Sequence, residues 1–179
     1  MGAMRLVERI DILGDEGLQR RVGRLSLVLV VAVIALAVAV AAVRGDERVD
    51  VWWWVALAVG TLVALPVHEL VHAAGFRLLC PGCRVSFGFQ DAFLYTKTDG
   101  AVTSRGRMVA VLLAPAILVT GALAAAALCA GRPALAVLLA GVHLSGCAGD
   151  LIMAAAALRE PGCTHVRDTD VGLDLLAEG

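Results

Sequence analysis

The sequence predicts an all-α polytopic membrane protein, with four transmembrane helices and a short cytoplasmic β-hairpin between helices two and three. Hydrophobic residues make up 60% of the chain and charged residues 17%, against about 45–50% and about 25% in an ordinary soluble domain. Four apolar runs, at 25–43, 51–79, 108–128 and 133–158, match the roughly 20 residues that span a hydrocarbon core about 30 Å thick. The basic residues outside these runs favour alternate loops, as the positive-inside bias requires.

The elements follow in order. Residues 1–24 alternate charge with Leu6, Ile10, Leu13 and Leu18, which suits an amphipathic helix on the inner membrane surface. The first apolar run is preceded by Arg20, Arg21 and Arg24 like a signal peptide. It exceeds an h-region of about 7–15 residues and lacks a clear small-residue cleavage site, so it is read as a retained helix. Trp52, Trp53 and Trp54 open the second helix and suit the outer headgroup level. Pro115 removes a backbone donor from the third helix, a defect that bundles tolerate when a neighbour re-satisfies the freed carbonyl. Residues 25–158 therefore form the four-helix transmembrane domain, and 159–179 a cytoplasmic tail.

Between helices two and three, Val85, Phe87, Phe89, Phe93 and Tyr95 follow a period-two pattern toward Asp99-Gly100. An Asp-Gly dipeptide between extended segments is a hairpin-turn signal. Arg84, Lys97, Arg105 and Arg107 lie in this loop and five arginines precede helix one, whereas the other two loops hold only Arg44, Arg48 and Arg132. Both termini and the hairpin loop are thus expected on the cytoplasmic side of a cell membrane. Net charge is −1, with no basic block to attract nucleic acid. Cys80 and Cys83 form half of a zinc ribbon, but no second Cys-x-x-Cys pair completes it, so they are read as reduced thiols.

The chemistry concentrates at His68-Glu69-Leu70-Val71-His72. Two histidines four apart share a helix face about 6 Å apart along the axis, so both imidazoles reach one metal ion. Glu69 then lies close enough to exchange protons with a metal-activated water without being a ligand. Burying such a cluster in an apolar span costs on the order of 2.5–3.5 kcal/mol per ionisable group, a cost that chance satisfied histidines would leave unexplained. A second polar cluster, His143 to Asp150, falls in the fourth run. Asp150 is expensive there unless a cation meets it. His143 and Ser145 read as hydrogen-bonding residues between helices, and Gly146 and Gly149 as points of close helix approach.

HELVHAAGF in one span, an aspartate in a later one and a β-prone loop between them resemble the site-2 protease class of intramembrane zinc metalloproteases. With Leu113-Ala114-Pro115 and the HLSGCAGD segment, the chain resembles more closely a bacterial family described as putative zincin peptidases, over roughly residues 51–158. The resemblance implies a Zn²⁺ cofactor, with His68, His72 and Asp150 as ligands and Glu69 as catalytic acid/base. It implies a membrane protein or peptide as substrate.

Residue counting supports Asp150 over His143 as third ligand. The two stand about 10 Å apart along a regular helix, too far to share one ion at about 2 Å. Counted from the cytoplasmic ends at Leu79 and Leu158, Asp150 is level with His72 and His143 is two turns higher. A catalytically inactive metal-binding scaffold is the rival reading, and metal transport finds few polar residues to line a track. The oligomeric state is not legible.

Overall fold

The structure is a computed structural model that describes residues 4–45, 47–90 and 93–179. The elements are β1 (Met4–Asp11), α1 (Glu16–Arg44), α2 (Val51–Leu79), β2 (Val85–Gln90), β3 (Phe93–Thr98) and β4 (Val102–Ser104). They continue as α3 (Arg105–Cys129), α4 (Pro133–Gly146), α5 (Ala148–Arg159), β5 (His165–Thr169) and β6 (Gly172–Glu178). Three helices, α1, α2 and α3, are long and apolar enough to cross a membrane, and α4 with α5 makes a fourth only if the pair counts as one span.

Local chemistry accounts for the helix ends. α1 starts before the apolar run because the Asp15 carboxylate accepts from Gly17 and Leu18 N–H, satisfying donors that a first turn leaves unpaired. The Asp50 carboxylate caps α2 through Trp53 N–H. Glu47 accepts from Trp53 Nε1 at 2.7 Å and from the backbone N–H groups of Ala134 and Leu135, so one carboxylate fastens α2 to the start of α4, where Pro133 occupies the first turn. Trp53 is therefore buried at 4% exposure, while Trp52 and Trp54 face outward. Only two of the three indoles suit the headgroup role.

The fourth apolar run is broken. α4 and α5 meet at Cys147 with a bend of 57°. The Ser26 hydroxyl of α1 donates to Ser145 O at 2.7 Å beside the break. Close helix approach occurs one turn earlier than expected: a Cβ on Gly141 would overlap Val33 of α1, whereas a Cβ on Gly146 would meet open space and one on Gly149 only Ile12.

The termini form structure that the sequence reading assigned to a surface helix and a tail. Met4–Asp11 is a strand, and the antiparallel sheet runs β1-β6-β5-β4. Leu6 pairs with Leu176 and Ile10 with Leu173; Val166, Leu173 and Leu175 are buried against Met108, Val111 and Ala157 of the helices. Backbone pairing with a partner more than 160 residues away overrides the local amphipathic pattern, as tertiary context does for β-propensity. β1 and β6 consequently lie at the bundle end where β4 enters α3.

Antiparallel strands do occupy the α2–α3 connection, with Val85 opposite Thr98 and Gln90 opposite Phe93. Their connection at 91–92 lies outside the described residues. Asp99-Gly100 instead carries the chain from β3 to β4, which pairs with β5 in the other sheet. Gly100 has φ +64°, so the dipeptide makes a tight turn, but turn chemistry does not dictate which flanking strands pair.

Asp168 of β5 locks these sheets together: its Oδ2 accepts from Thr98 N–H and from Thr98 Oγ1, both at 2.7 Å. Burial pushes this carboxyl above its usual range although the Thr98 donors pull it down. A raised folded value means that the stabilising contribution is full below the unfolded value of about 4 and is lost as pH rises through the folded one. Thermal melts of detergent-solubilised protein should show Asp168→Asn gaining on wild type as pH rises from 4 to 8. Asp168→Ala should lose about 1–3 kcal/mol by stranding Thr98 N–H. An Asn variant that falls behind with rising pH would contradict this.

Candidate metal centre

α2 brings His68 and His72 onto one face, and the bend after α4 turns Asp150, in the first turn of α5, toward them. His68 Nε2 lies 3.0 Å from His72 Nε2 and 3.2 Å from Asp150 Oδ2, and His72 Nε2 lies 3.5 Å from the same oxygen. Tetrahedral zinc with bonds of about 2.0–2.1 Å would set its ligand atoms about 3.3 Å apart. The three donors therefore fit the ion. Glu69 Oε1 stands 4.0 Å from His68 Nε2, beside the centre and outside the tightest triangle. All four side chains are at most 15% exposed.

The tautomer of His72 follows from its partner. Its Nδ1 lies 3.1 Å from the carbonyl oxygen of Val111, and a carbonyl only accepts, so Nδ1 carries the proton and Nε2 presents a lone pair. Val111 O is available because its helical partner would be the N–H of residue 115, and Pro115 has none. The helix defect thus becomes the fixture for the His72 ring, the part that outer-shell carbonyls play for metal-bound histidines. With His72 Nε2 unprotonated at 3.0 Å, His68 Nε2 either donates a proton or shares a cation.

The structure gathers all four expected site residues, His68, Glu69, His72 and Asp150. It also brings in His143, which residue counting had placed two turns away. His143 Nε2 lies 3.3 Å from His68 Nδ1, the nitrogen opposite the metal triangle, and His143 Nδ1 is 2.8 Å from Thr120 Oγ1. The 57° bend is the reason: axial counting assumes a straight helix. Cys147 Sγ, fully buried, lies 3.8 Å from His68 Nδ1 and donates to His143 O at 3.3 Å. His68, His143 and Cys147 make a second group with ligand-like spacing.

Thr120, Cys147 and the Val111 carbonyl have no catalytic signature in sequence. The carbonyl alone had a findable signal, four residues before Pro115. Thr96 of β3 donates to Glu69 O at 2.9 Å, so the β2–β3 pair reaches the motif itself.

Among known proteins, a family model described as "Putative zincin peptidase" matches residues 61–164. No curated protein and no solved structure matches the chain.

If His72 is held through the carbonyl that Pro115 frees, Pro115→Ala should weaken its grip by supplying a helical N–H that competes for Val111 O. Zinc affinity, measured by competition with a chromophoric chelator, should fall about 10-fold, even though helix propensity improves. Unchanged affinity would show that the carbonyl does not orient the ring.

Proposed function

The chain belongs to that family of zincin-type peptidases, and on this premise we propose that it is a zinc-dependent endopeptidase working in or beside the membrane. The observation that carries the reading is the convergence of His68, His72 and Asp150 within 3.5 Å, with the Glu69 carboxylate alongside. Two imidazoles and one carboxylate with a fourth position for water match the donor set of catalytic zinc. Zinc bound there supplies Lewis acidity and lowers the pKa of a water to about 7.

The chain's own groups do the rest. Glu69 takes the proton from the attacking water and delivers it to the amine nitrogen as the peptide bond breaks, leaving one carboxyl and one amine product. Its neighbour His68 cannot substitute, because both ring nitrogens are engaged. The site lies among apolar helices, where few other groups can take up a proton. Peptide bonds in a helix are already hydrogen-bonded, so the substrate is an extended segment of a membrane protein or peptide, laid beside the β2–β3 pair that reaches the motif through Thr96. The distribution of basic residues supports a cytoplasmic location for the sheet end of the bundle in this reading.

Purified full-length protein should hold about one zinc per chain and cleave an unstructured reporter protein, with products identified by mass spectrometry. Glu69→Gln should reduce cleavage at least about 10²–10⁴-fold with zinc retained, and His68→Ala or Asp150→Ala should lose the zinc. Equal turnover in wild type and Glu69→Gln, each fully loaded, would leave a metal-binding scaffold instead of an enzyme.

A further inference from the structure

Behind the metal triangle lie polar groups that the hydrolytic reaction does not use: His143, Thr120 and Cys147, all at the depth of an apolar bundle. We propose that His143 and Thr120 are positioning residues, a hydrogen-bonded relay that fixes the tautomer and ring orientation of His68. This rests on the metal-centre reading above and assigns roles to two residues outside it.

Proton bookkeeping carries the inference. His68 Nε2 faces His72 Nε2 and Asp150 Oδ2 at 3.0 and 3.2 Å, so as a ligand it presents a lone pair there. A neutral imidazole has one ring proton, which then sits on Nδ1. That N–H points at His143 Nε2, 3.3 Å away, which must accept. His143 in turn carries its own proton on Nδ1 and donates it to Thr120 Oγ1 at 2.8 Å. Each step follows from the one before it, and the direction is outward from the metal. Without His143, the His68 N–H would keep only the weak acceptor Cys147 Sγ at 3.8 Å, and a poorly satisfied buried donor no longer fixes the ring.

The fold supplies the relay by the same bend that supplies the ligand. His143 ends α4 and Asp150 begins α5, so one broken segment grips the two opposite nitrogens of one ring. The imidazoles of His68 and His143 meet at 5.4 Å between centroids with planes tilted by 59°. A second ion held by His68, His143 and Cys147 is the competing use of this cluster. It would require His68 to lose its one ring proton and bridge two ions as an imidazolate, and Cys147 already donates to His143 O. The relay keeps His68 neutral and needs no further ion.

The test measures zinc affinity by chelator competition, and the visible spectrum of the cobalt-substituted protein, in full-length chains. His143→Leu should weaken zinc about 10–100-fold and alter the cobalt bands. His143→Gln, whose Oε1 accepts from the same direction, should stay within about threefold of wild type. Thr120→Val should fall between them. Wild-type affinity and spectrum in His143→Leu would overturn the relay. So would equal losses in the Leu and Gln variants, which a purely structural role predicts. Two ions per wild-type chain, one lost in Cys147→Ala, would also refute it. A wild-type chain that binds zinc but cleaves nothing would sink the peptidase reading and leave the relay intact, whereas a chain that binds no zinc would sink both.

Discussion

Two imidazole nitrogens face each other across 3.0 Å in an apolar bundle, with one proton or one cation to share between them, and much of the molecule is arranged around that pair. Asp150 brings the negative charge, at 3.2 and 3.5 Å from the two nitrogens. The opposite nitrogen of each ring is occupied as well, His72 by a backbone carbonyl and His68 by His143. Neither ring can turn away without stranding a buried polar atom, so the donors stay aimed at one point.

The means are defects in otherwise regular helices. Pro115 frees Val111 O for His72, and the break at Cys147 bends the last apolar segment so that both ends of it touch His68. In a membrane such defects persist only where each freed backbone group finds a partner, and Ser26, donating to Ser145 O, supplies one beside the break. The sheet formed by both termini with β4 and β5 closes the same end of the bundle. There Asp168 joins it to β3 through Thr98, and β3 in turn touches the motif through Thr96.

The legible parts of the fold were those written in short-range pattern. α2 has the bounds that hydropathy predicts, Val51–Leu79, and the His68/His72 spacing on it needs no tertiary information. Asp150 was recoverable because an isolated carboxylate in an apolar run demands a cation. What escaped depended on long-range pairing or on a bend. β1 is a strand only because β6 lies beside it, and Leu173 and Leu175 of the supposed tail are buried by elements distant in sequence. His143 was placed too far away because depth was counted along a straight axis. The Asp99-Gly100 turn was recognised but given the wrong partners, since a turn fixes chain direction and not register.

The central claim is that one ion sits between His68, His72 and Asp150, with Cys147 outside its shell. Zinc K-edge X-ray absorption on the loaded full-length protein tests it most directly. The account predicts about four nitrogen and oxygen scatterers near 2.0–2.1 Å, including two imidazoles, and no sulfur. A sulfur scatterer near 2.3 Å would place the metal against Cys147 instead and contradict it.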